Sequence, residues 1–64
     1  MINEGDKVKL LSGEIAIISE VLESKVAYIA EIFLNKGGVS IAQINHKDII
    51  SVFEEVEHPL QISM

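Results

Sequence analysis

The 64-residue chain carries ten carboxylates against five lysines and no arginine, a net charge of −5, and it has no cysteine. That composition excludes a disulfide framework and a thiolate metal cage, and no apolar run reaches the roughly 18 residues of a membrane span. One domain, 1–64, with one small core is the expectation, and a chain this short buries only about 60% of the surface its unfolded form exposes. Met1–Asp6 lacks the basic-then-apolar order of a secretion signal, so the expected location is cytoplasmic.

Taken in chain order, turn residues cut the sequence into five short apolar segments. Gly5–Asp6 precedes the first, 7–11. Ser12–Gly13 leads to the second, 14–22, and Glu23–Ser24–Lys25 to the third, 26–34. Asn35–Lys36–Gly37–Gly38 is hairpin chemistry before the fourth, 39–44, because glycine takes φ > 0 at no steric cost. Asn45–Asp48 precedes the fifth, 49–56, in which Asp48 is placed to accept a backbone N–H bond and cap a short turn. Pro59 cannot donate to a ladder and ends the sheet. Residues 58–64 are expected as a tail, which could fold back over the sheet through Leu60 and Ile62. Isoleucine and valine dominate the apolar set, and β-branched side chains suit a pleated sheet. Turn signals at about ten-residue spacing point to a small all-β sandwich or barrel.

A helical reading competes. Ile15, Ile18, Leu22, Val26, Ile29 and Phe33 recur at steps of three and four, which is amphipathic-helix spacing. Ser19 could cap such a helix and Gly37 end it. Ser40 with Gln43 makes a capping-box pattern for a second, giving a small helix-turn-helix regulator. Periodicity cannot arbitrate where nearly every position is apolar, so β-branching tips the balance toward strands.

The stretch "GDKVKLLSGEIAIISEV" (5–21) resembles the opening of a small SH3-like barrel of the KOW-like kind, with Gly5, Asp6, Val8, Gly13, Ile18 and Val21 where that pattern puts them. Ala16 stands where true KOW domains have glycine. "VAYIAEI" (26–32) resembles the central strand of such barrels, and "INHKDIISV" (44–52) their short 3₁₀ turn and last strand. In outline the chain is similar to small SH3-like proteins of Firmicutes, a grouping with no agreed activity. The resemblance implies an all-β, five-stranded SH3-like barrel over about 5–57 with a 3₁₀ turn before the last strand. It also puts Ala16, Ile18, Tyr28, Ala30 and Ile32 inside.

Strand alternation then places Ile15, Ile17, Ile29 and Phe33 on the outer face, with Glu31 among them. Val21 fits inside only if a bulge near Ser19–Glu20 resets the alternation. Ile41 and Ile44 have opposite parity, so one of them faces out or a bulge intervenes. An apolar outer face on so small a protein marks a contact surface. The expected function is therefore a non-enzymatic interaction module whose partner is a protein, including a second copy as a homodimer.

Other chemistries find little support. No serine lies in a nucleophile motif, and Gly37–Gly38 lacks the context of a phosphate loop. No enzyme, cofactor or small-molecule substrate is expected. His46, Asp48 and His58, with Glu54 and Glu55, match no metal-site spacing, and both histidines read as solvated loop residues. Tyr28 reads as a core tyrosine whose hydroxyl reaches the rim. KOW-like nucleic-acid or ribosome-associated binding is the alternative by fold analogy. The acidic balance and scattered lysines oppose it, because phosphate binding needs clustered positive charge.

Overall fold

A computed structural model describes residues 1–53, and these form an all-β unit. Its elements are β1 (Lys7–Leu10), β2 (Ile15–Glu23), β3 (Ala27–Phe33), β4 (Val39–Asn45), a 3₁₀ turn (His46–Asp48) and β5 (Ile49–Val52). Five strands make one antiparallel sheet in the order β4-β3-β2-β1-β5. The stretch with helical spacing, 15–33, is thus two strands and a turn. The helix-turn-helix reading fails because apolar residues, many of them β-branched, serve both faces of each strand. The last strand is described over Ile49–Val52, and positions 54–56 of the expected 49–56 lie outside the described residues. The expected tail 58–64, with Leu60, Ile62 and the fold-back they would make, lies outside the described residues.

Local chemistry sets the turns. The Asp6 carboxylate accepts the Asn3 N–H at 2.9 Å, and the Asp6 N–H returns to the Asn3 carbonyl at 3.1 Å. This closed turn swings Ile2 under the sheet, where it is buried. Gly37 and Gly38 have φ of +103° and +91° and carry the β3–β4 connection, as their composition requires. The β2–β3 connection uses Lys25 at φ +66°, a left-handed conformation that costs a non-glycine residue about 1 kcal/mol. The Asp48 carboxylate accepts the Asn45 N–H at 3.0 Å and closes the 3₁₀ turn in the expected way.

The core lies on one face of the sheet. It comprises Ile2, Val8, Leu10, Ala16, Ile18, Tyr28, Ala30 and Ile44, with Val21, Ile32 and Ile49 packed at its margin. Small residues sit against large ones across the ladder, Ala16 beside Ile32 and Ala30 beside Ile18. That complementarity lets a short chain reach close packing. Register in β2 changes twice, near its middle and again between Val21 and Glu23. Ile18 pairs with Ala30 and Glu20 with Ile29, so two steps on β2 match one on β3. The extra residue, Ser19, is a bulge that returns Val21 to the core side. On β4 no bulge intervenes. Ile44 is buried, and Ile41, at 69% exposure, faces out.

Candidate functional site

The sheet's other face is built by the same alternation. Polar side chains normally fill the solvent side of an antiparallel sheet. Here Ile15, Ile17 and Ile29 lie half-buried on it, and Phe33 is 40% exposed. The ladder brings all four expected residues together on two adjacent strands, with Ile15 directly opposite Phe33. The pairing of β3 with β4 then adds Val39 beside Phe33 and Ile41 beside Glu31. Both added residues are more than half exposed. They escaped the sequence reading because the parity of the fourth strand was ambiguous until its register with β3 was known.

Three rows run across this face, perpendicular to the strands, and one of them holds Gln43, Ile29 and Glu20. The first reads Ile41, Glu31, Ile17, Lys7, and continues to Phe53, whose N–H bonds to the Lys7 carbonyl at 2.8 Å. The second reads Val39, Phe33, Ile15, Lys9, Ser51. The Lys7 ammonium stands 5.5 Å from the centre of the Phe53 ring, a cation–π contact that keeps it on this face. Glu31 is half-buried, with Ile17 and Ile41 beside it across the ladder and Ile29 and Phe33 along its own strand. Neither lysine was anticipated as part of the face, since scattered lysines carry no signal until strands are aligned.

A second polar feature joins the core to the rim. Tyr28 is 1% exposed, yet its hydroxyl lies 2.7 Å from His46 Nδ1, and the two rings are tilted at 40°. Tyr28 is therefore the core tyrosine expected. His46, by contrast, is exposed but not a free loop histidine. It satisfies the hydroxyl that burial would otherwise strand. The contact spans 18 residues, so no local pattern announces it. Tyr28→Phe should lower stability by about 1 kcal/mol, because His46 can turn to water while the lost bond is not replaced inside. Urea unfolding measures this, and an unchanged midpoint would mean that the bond contributes nothing.

His46 also borders two shallow clefts. One is shared with Met1, Ile2, Lys25 and β5, the other with Lys25, Asn45 and Lys47. Among the described residues, no three His, Asp or Glu side chains gather as metal ligands would, and no helix is long and apolar enough to cross a membrane. His58, Glu54 and Glu55 lie outside the described residues. Comparison with protein-family models, with curated proteins and with solved structures finds no match for this chain.

Proposed function

We propose that this chain is a non-enzymatic, cytoplasmic protein-contact module of SH3-like architecture, and that it works through the outer face of its sheet. The SH3-like reading is supported by the strand order β4-β3-β2-β1-β5 and by the 3₁₀ turn placed between the last two strands. The contact role rests on one observation, the side-by-side placement of Phe33, Val39 and Ile41 with Ile15 and Ile17 on the solvent side. Scattered exposed apolar residues are ordinary, but a contiguous group rimmed by charges marks an interaction surface. A net charge of −5 favours a protein over nucleic acid as the partner, because phosphate binding depends on displaced counterions.

Site-specific photocrosslinking in cells tests the assignment. A photoreactive amino acid at Ile41 should give discrete crosslinked protein products, including products with the chain itself. The same group at Lys36, in the β3–β4 turn, should give few. Equal yields from the two positions would defeat the reading.

A further inference from the structure

We propose that the occupant of the outer face is a second copy of this chain, related by a two-fold axis running along β2. This inference rests on the contact role of that face and adds the partner and its orientation.

The first row carries the argument. From β4 to β5 it reads Ile41, Glu31, Ile17, Lys7, Phe53. Apolar character is symmetric about Ile17, and charge is antisymmetric. Glu31 lies one strand to one side and Lys7 one strand to the other, each about 4.8 Å from β2. A row of this kind complements itself when turned over about its own centre. A two-fold axis along β2 lays β1 of one copy over β3 of the other. Lys7 then faces the partner's Glu31 twice per dimer, Ile17 meets its own copy on the axis, and Ile41 meets Phe53. In the second row Ile15 meets its own copy, and the Lys9 ammonium lies over the Phe33 ring. Stacked sheets sit about 10 Å apart, a gap that lysine and glutamate side chains can close from both sides.

The charges also choose among the two-fold axes that would stack these faces. An axis along the row sets Glu31 on Glu31 and Lys7 on Lys7. An axis along β3 or along β1 places one like-charged pair on itself. Only the axis along β2 joins opposite charges at both positions; it also sets Glu20, exposed on β2 opposite Ile29, against its own copy, one like-charged pair beside two opposite-charged ones. Aligned sheets cross at about 30°, so the match is best near Ile17 and weakens outward. Isologous contact of this kind is the commonest form of oligomer. Glu31 is the residue that most needs it. A carboxylate with apolar neighbours on all four sides gains a counter-charge only from across the interface.

Sedimentation velocity on the full chain tests the arrangement. The unmodified protein should be a dimer at high micromolar concentration. Lys7→Glu puts carboxylate against carboxylate, Glu31→Lys puts ammonium against ammonium, and each should weaken dimerisation at least tenfold. Mixing the two variants should restore the dimer, because a Lys7→Glu chain and a Glu31→Lys chain present opposite charges at both pairs. Lys36→Glu makes the same change in net charge off this face and should leave the dimer intact. A misfolded variant could not be rescued by mixing, so rescue separates an interface effect from a folding effect. A dimer indifferent to both single changes would place the contact elsewhere, for example at the exposed edge of β4, and overturn the proposal. A strict monomer would overturn it as well. In that case crosslinks from Ile41 to a different protein would leave the contact role standing, and the absence of any crosslink would remove both.

Discussion

Ile18→Ala should destabilise the domain by about 2–5 kcal/mol, whereas Ile17→Ala, one residue earlier, should cost the isolated chain less than about 1 kcal/mol. Ile18 is 1% exposed and sits in the core beside Ala30. Its backbone also receives the Gly5 N–H at 2.8 Å and donates to the Asp6 carbonyl at 2.9 Å, tying the N-terminal turn to β2. Removing its side chain leaves a cavity that a rigid ladder cannot close, so the transfer loss and the void add. A domain of this size has on the order of 3–10 kcal/mol in total. The alanine variant should therefore show a melting temperature at least 10 °C lower or no cooperative transition at all. Thermal unfolding followed by circular dichroism reads both variants. Equal losses at Ile17 and Ile18 would show that the two faces are not distinct, because a one-residue slip exchanges them.

Phe33→Lys is the converse case, with a small effect on the fold and a large one on association. Phe33 is 40% exposed at the end of β3, so the substitution should change stability by no more than about 0.5 kcal/mol. In the proposed dimer the ring lies under a lysine and beside Ile15 and Val39. An ammonium there faces the partner's Lys9 and removes the cation–π contact, which should cost at least about 2 kcal/mol of association, some thirtyfold in the dissociation constant. Light scattering across a concentration series, paired with urea unfolding at low concentration, separates the two quantities. Intact self-association in the lysine variant would remove Phe33 from the interface.

These two expectations concern residues on opposite faces of one sheet, and their origins in the sequence differ. The resemblance to SH3-like barrels made the turn before the last strand 3₁₀, while turn residues and β-branched content were enough to divide the chain into five strands and to place a short turn at Asp48. Both are local properties: glycine supplies φ > 0 at Gly37 and Gly38, and Asp48 reaches the Asn45 N–H three residues away. Alternation and the resemblance to SH3-like barrels together divided β3 into its two faces and made a bulge near Ser19–Glu20 the condition for an inward Val21. The structure has that bulge.

Pairing register was beyond local signals. Whether Ile41 or Ile44 faced outward depended on which residue of β3 each opposed, and a strand's own alternation does not contain that information. The same holds for Lys7 and Glu31, which are 24 positions apart in sequence. They flank Ile17 only because β1 and β3 pair with the two sides of β2. The Tyr28–His46 bond likewise joins a core strand to a turn beyond the next strand. The sequence by itself determined the strands, their turns and the existence of an apolar face on each side. The tertiary structure alone decided how those faces are composed across strands. Lateral neighbours in a sheet are set by long-range hydrogen-bonded register, and it is lateral order that turns isolated lysines, glutamates and isoleucines into a self-complementary surface.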